Sequence, residues 1–282
     1  MSEPVHKFAH EAMATTFEIF LASEDREYAA STAREAFDLI DKLEDQLSRF
    51  RPHSDISIIN ALQSGEGSRI SIPAFECLKL AFEISSETAG AFDVSLALVM
   101  DRIRNDKGEI VVADNAILDE AFAEKSKGLY LLDPEDFTVH CQSTGAGIDL
   151  GGIGKGFALD QVAEFLEDWD LPRALLHGGG STVLSLDPPD GAGGWKVGFG
   201  DESGRDPIWL CREALSGSGK AVKGAHVLDP RTGRPAGTCS TRTWARAPSA
   251  ALSDALSTAF MVLSPDEVAV YCREHPGVEA YI

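Results

Sequence analysis

Apolar and polar positions alternate from Thr15 to Ala22 (TTFEIFLA), the period-two signature of a half-buried strand. Between Glu24 and Phe50 the period changes. Ala33, Phe37, Ile40, Leu43, Leu47 and Phe50 fall three or four apart, which predicts a long amphipathic helix ended by Arg51-Pro52. Ser54 is placed to cap a short helix reaching Leu62, Gly65 and Gly67 make a loop, and Arg69 to Ile72 reads as a brief strand. Pro73 opens a helix that Gly90 closes. A helix over 115–125 precedes two short strands, 129–132 and 137–141, around the turn-rich Asp133-Pro134-Glu135-Asp136.

Glycine then dominates the chain. Gly145 to Asp160 (GAGIDLGGIGKGFALD) gathers glycines around Asp149 and Lys155 before Phe157, Ala158, Val162, Phe165 and Leu166 recur at helical spacing. Free N–H groups at a helix start favour phosphate, and glycine lets backbone approach a ligand. A tight strand-to-helix turn without a ligand fits the residues equally well. Two phosphate signatures fail here: a P-loop would need Gly at Asp149 and Ser or Thr at Gly156, and the dinucleotide fingerprint meets Phe157 at its third glycine.

Ala174 to Leu176 reads as a buried strand ending in His177-Gly178-Gly179-Gly180-Ser181, and strands follow at 182–186, 195–199 and 208–211. Leu215 to Gly224 is small and polar, with no element assigned. His226-Val227-Leu228-Asp229-Pro230-Arg231-Thr232-Gly233-Arg234-Pro235 contains a tight turn, beside which a lone His is more often a surface or core residue than a catalyst. Ala250 to Leu263 predicts a small-residue helix with Leu252, Leu256, Ala259, Phe260 and Leu263 buried. Asp254 and Thr258 share one of its faces, with Ser257 adjacent. These oxygens suit a hard cation. On the residues alone the favoured reading is plainer: hydroxyls bonded back to their own helix and a solvated Asp254. Asp93, in Ala91-Phe92-Asp93 after Gly90, likewise reads first as a cap or turn residue. Strands and helices alternate without regular βαβ spacing and no linker stands out, so the expected class is α+β, with residues 1–282 as a single domain.

Composition narrows the function. Hydrophobic residues make up 44% of the 282 and charged residues 25%, ordinary values for a globular chain. A formal net charge of −20 argues against non-specific nucleic-acid or anionic-membrane binding. It leaves room for one phosphate ligand in a local site. The five cysteines contain no C-x-x-C, and the sequence shows no signal peptide, lipid-attachment cysteine or membrane segment, so the expected compartment is cytoplasmic.

Taken as an ordered set, the motifs carry more than any one of them. Met13-Ala14-Thr15, Ser48-Arg49-Phe50-Arg51-Pro52 with Ser54 and Asn60, and Phe92-Asp93 lead into Asp149-Leu150-Gly151-Gly152-Ile153-Gly154-Lys155-Gly156-Phe157-Ala158. Gly179-Gly180, Ser216-Gly217, the block from His226 to Pro235 and Ser253-Asp254-Ala255-Leu256-Ser257-Thr258-Ala259 complete the set. The chain so resembles the ApbE family, the FAD:protein FMN transferases, along nearly its whole length.

The resemblance implies an ApbE-like fold of mixed sheets and packed helices, with a ligand cleft between two closely associated halves. It implies a Mg²⁺-dependent transferase that splits FAD, releases AMP and attaches FMN to a Ser or Thr hydroxyl of an acceptor protein. FAD pyrophosphatase activity and non-catalytic FAD binding are the alternatives, and a homodimer stays open. By motif position, the metal ligands would be Gly152, Asp254 and Thr258, with Ser257 beside them. The flavin nucleotide would contact Met13, Phe50, Ala91, Phe92, Asp93, Asp149, Lys155 and Val227. His226 and Lys155 would be the catalytic pair, His226 moving a proton. This chain departs from the family pattern at Ala14 (Gly preferred), Phe50 (a hydroxyl-bearing aromatic common) and Ser181 (often Asp).

Overall fold

A computed structural model describes residues 3–103, 115–126, 128–200, 204–219, 228–236 and 242–282. Its frame is a seven-stranded antiparallel sheet, built from β1 (Val5–Ala12), β2 (Thr15–Ala22), β6 (Ala174–Gly178), β7 (Thr182–Ser185), β10 (Glu213–Gly219), β13 (Arg242–Ala247) and β14 (Glu279–Tyr281), in that spatial order. Side chains alternate across it, as period two requires. Leu176, Leu184, Ala214 and Ala245 join the main buried cluster, while their neighbours Leu175, Val183, Leu215 and Trp244 pack into a second cluster on the other face. The hairpin of β8 (Trp195–Val197) and β9 (Ile208–Leu210) covers that second face through Val197 and Leu210. The α+β class expected from the sequence is the class observed.

Helices cover the first face. α1 (Arg26–Leu47) turns Ala29, Ala33, Ala36, Phe37, Ile40, Leu43 and Leu47 inward at helical spacing and packs on α6 (Gly154–Asp168). It stops at Ser48, before the Phe50 read from the sequence. Ser54 caps α2 (Asp55–Ala61), its hydroxyl accepting from Ser57 N–H. α3 spans Ile72–Glu87 under an N-cap from Ser71, so the brief strand read at 69–72 lies earlier, as β3 (Gly67–Arg69). β3 pairs with β5 (Thr138–Ser143), which also pairs with β4 (Leu129–Asp133). α4 (Ala97–Ile103) and α5 (Asn115–Lys125) pack on each other beside the short β11–β12 hairpin (Leu228–Asp229, Arg234–Pro235).

Two more helices follow β13. α7 (Ala250–Ala259) packs on α6 and on β7, β10 and β13, and α8 (Pro265–Glu274) carries a capping box of Ser264 and Glu267. No helix among the described residues is long and apolar enough to cross a membrane.

Candidate active site

Sequence dictates how α7 crosses α6. A methyl group on Gly156 would sit 2.2 Å from the Ala250 carbonyl oxygen and 2.7 Å from Ala251 N, so only glycine allows this backbone contact. One turn on, the Asp160 carboxylate accepts from Ala250 N–H at 2.7 Å and Ala251 N–H at 2.8 Å, holding the free end of α7 from outside. Burial raises Asp160 to about 6 against the pull of those two N–H groups. The clamp brings α7 over the start of α6.

Asp254 thereby faces the glycine loop. Its carboxylate lies within α7, 3% exposed, and Oδ2 accepts from Lys155 Nζ at 3.1 Å and from Gly156 N–H at 3.4 Å. The solvated Asp254 favoured from the sequence is thus corrected: the helix crossing buries it. The other half of that reading holds: the Ser257 hydroxyl donates to the Asp254 carbonyl at 2.8 Å and the Thr258 hydroxyl to the same oxygen at 3.5 Å. Ser218 of β10 stands 2.9 Å from Ser257 Oγ and 3.3 Å from Thr258 Oγ1. A methyl on Gly152 would come 3.7 Å from Thr258 Oγ1 and 3.2 Å from the Phe92 ring, which places the glycine loop against α7.

The loop itself is pinned by its neighbours. Asn60 accepts from Ile148 N–H and donates to Ile148 O, fixing both backbone groups of that residue. Asp149 Oδ1 accepts from Gly151 N–H at 2.9 Å. Opposite, Arg49 Nε lies 3.0 Å from Asp149 Oδ2 with its N–H off that line, an ion pair without an aligned hydrogen bond. Arg49 also forks onto Asp101, donating from Nη1 at 3.0 Å and Nη2 at 2.7 Å. The bond to Asp101, aided by the Asp149 charge, raises Arg49 further above its ordinary range despite partial burial.

Between these parts lies a cleft of about 690 Å³. Its walls include Met13, Phe50, Asp149, Lys155 and Asp254, five of the residues singled out from sequence. Met13 and Ala14 form a two-residue hairpin turn between β1 and β2, both at positive φ (50° and 57°). Gly179, at φ 66°, packs where a methyl would meet Thr15 Oγ1 at 2.5 Å, so the β6–β7 turn holds that hairpin in place.

Other singled-out residues lie elsewhere. Ala91 and Phe92 are buried and lie outside the cleft lining, with the Phe92 ring against Gly152. Asp93 lines a separate depression of about 440 Å³, accepts from Ser95 N–H and Oγ, and pairs with Lys125. That matches the turn role read for it first. His226 and Val227 lie outside the described residues. Sequence reasoning gave Arg49 and Ser218 no role; the only signal for Arg49 is its place beside an aromatic in a motif block.

The oxygen donors here are of the kind a hard divalent cation takes. Asp254 offers a buried carboxylate already drawing two donors, and the hydroxyls of Thr258 and Ser257 stand one turn along. Among the described residues no three His, Cys, Asp or Glu side chains gather as a metal cluster. A cation here would therefore share few protein ligands and keep its remaining positions for water or phosphate oxygens, as Mg²⁺ commonly does.

A model described as the ApbE family matches residues 13–282. The FAD:protein FMN transferase of Treponema pallidum (strain Nichols) is 28% identical over 273 residues, spanning 87% of this chain and 75% of the relative. That of Vibrio cholerae (serotype O1, strain ATCC 39541) is 24% identical over 283 residues, spanning 94% and 83%. The apo structure of the Pseudomonas stutzeri flavinyl transferase ApbE is similar in fold, with a TM-score of 0.85 at 22% identity over 99% of this chain and 92% of that one.

Proposed function

The chain belongs to the ApbE family, and we propose that it acts as an FAD:protein FMN transferase, with residues 1–282 forming one catalytic unit. The observation carrying this reading is the meeting of Lys155 and Asp254 at 3.1 Å in the wall of a cleft, where the glycine loop reaches Thr258. In the reaction, a Ser or Thr hydroxyl of the acceptor forms a bond to the FMN-side phosphorus. The bond from that phosphorus to the bridging oxygen breaks, and AMP leaves with the electron pair.

Each residue has a task in that exchange. Met13 and Phe50 give apolar contact to the flavin end, and Asp149 accepts from its donors. Lys155 brings positive charge to the diphosphate, where charge builds as the bridging bond breaks. Asp254, Thr258 and the Gly152 backbone, with Ser257 beside them, would hold Mg²⁺. When bound, Mg²⁺ supplies neutralising charge to the phosphate oxygens. The acceptor hydroxyl must also lose a proton, and His226 has the chemistry to take it. Phe92 supports the loop from behind, where its ring lies against Gly152, and Val227 neighbours the proposed base in sequence.

The test is incubation with FAD, Mg²⁺ and a threonine-bearing acceptor domain, followed by nucleotide chromatography and intact-mass measurement. AMP release matched by an FMN-sized gain on the acceptor is the expected result. FAD recovered intact would overturn the reading, and AMP with free FMN but no modified acceptor would make the chain a pyrophosphatase.

A further inference from the structure

Arg49 serves three groups with one planar cation. Its side chain is only 8% exposed. In plane it grips Asp101 of α4 through two nitrogens, and at its edge Nε approaches Asp149 Oδ2 at 3.0 Å. Out of plane, its central carbon stands 4.5 Å from the centroid of the Phe50 ring. Phe50 itself is 74% exposed at the cleft. A ring so exposed has little packing to hold its rotamer, and a cation under one face both holds it and leaves the other face free.

The same cation acts on the loop. Asp149 lines a cleft read as the seat of a diphosphate, where a bare carboxylate would repel the substrate. Arg49 offsets that charge at Oδ2, while Gly151 N–H fixes Oδ1. Lysine could supply the charge but neither the flat face nor the fork.

We propose that Arg49 is a positioning residue for the flavin half of the substrate, coupling the Phe50 ring and the Asp149 carboxylate into one rigid platform. The inference rests on the reading of this cleft as an FAD site. Arg49 itself touches no reacting atom; it acts through its two neighbours.

Calorimetry in EDTA, where the metal-dependent reaction is silent, tests it on the full chain with FAD and with ADP, which lacks the flavin. Arg49→Lys and Phe50→Leu are each expected to weaken FAD binding about five- to tenfold, with ADP affinity held within about twofold. Phe50→Leu leaves the arginine's two carboxylate partners in place, so it reports even if Arg49→Lys folds poorly. The double variant is expected to lose no more than the weaker-binding single variant, since the two groups act as a unit. Additive losses, unchanged FAD affinity in Arg49→Lys, or equal losses for FAD and ADP would overturn the proposal. A wild-type chain that binds no FAD would overturn the reading beneath it as well.

Discussion

Lys155 and Asp254, separated by almost a hundred residues, meet at 3.1 Å because two helices cross where the earlier one begins. The carboxylate side chain is 4% exposed and the lysine 20%. In the proposed reaction the more exposed ammonium is the partner that would meet the diphosphate, and the buried Asp254 the one held in place. Asp254→Asn keeps the shape and removes the charge. It is expected to lower AMP formation from FAD by about 10²–10³-fold, the scale of losing one focused electrostatic group. Nucleotide chromatography measures this, and Mn²⁺ titration of the variant should show the cation site weakened in parallel. Near-wild-type turnover would remove Asp254 from the site.

Gly156 is where fold and site depend on one hydrogen atom. A methyl there meets the backbone of Ala250 and Ala251, not a flexible side-chain tip, so relief requires moving α7. Gly156→Ala is expected to destabilise the protein by about 1–3 kcal/mol, the usual cost of overpacking, and to lower activity through displaced Asp254. Gly198→Ala, with nothing within 4 Å of the new methyl, should leave both unchanged. Urea denaturation alongside turnover compares the two variants.

Period alone revealed β2, α1 and the hydrophobic side of α6, because each buries one face against the main core. It missed β1 (VHKFAHEA), an edge strand whose residues are almost all partly or fully exposed. It also missed β10 (EALSGSG), whose Ser216, Ser218 and Gly219 are buried where α7 packs on the strand, while Trp244 lies over the half-buried Gly217. Five residues of the cleft, Met13, Phe50, Asp149, Lys155 and Asp254, were legible as members of an ordered set of motifs. The burial of Asp254 was not, since it depends on where α7 lands and no local pattern encodes that. Arg49 escaped for the same reason: Asp101 and Asp149 reach it from other elements.

Asp160 ties stability to pH. Burial raises its folded value to about 6 from 3.8, so between those values the folded chain holds a proton that the unfolded chain releases. Stability from this group therefore falls as pH rises from about 4 through about 6, by an amount of order 2–3 kcal/mol. Asp160→Asn cannot titrate. The stability advantage of wild type over the variant is expected to be largest near pH 4 and to narrow toward pH 7, as read by urea midpoints across the range. An advantage that grows with pH would show that the Ala250 and Ala251 N–H groups outweigh burial.

The β1–β2 turn supplies the last test. Met13 and Ala14 both hold positive φ, as a two-residue hairpin turn demands, yet neither is glycine or asparagine. Each left-handed residue with a Cβ costs about 1–2 kcal/mol. Met13 and Ala14 both line the cleft, Ala14 with no side chain beyond a methyl. Ala14→Gly relieves the strain but adds freedom to the unfolded chain, which returns about 0.4–1 kcal/mol of the gain. The net expectation is a modest stabilisation, a melting temperature higher by about 2 °C for a chain of this size. Ala14→Val should move it the other way, because a β-branched side chain tolerates positive φ worse than alanine. If Ala14→Gly instead melts lower, the turn is not strained at this position, and the hairpin owes its shape to the contact between Gly179 and Thr15.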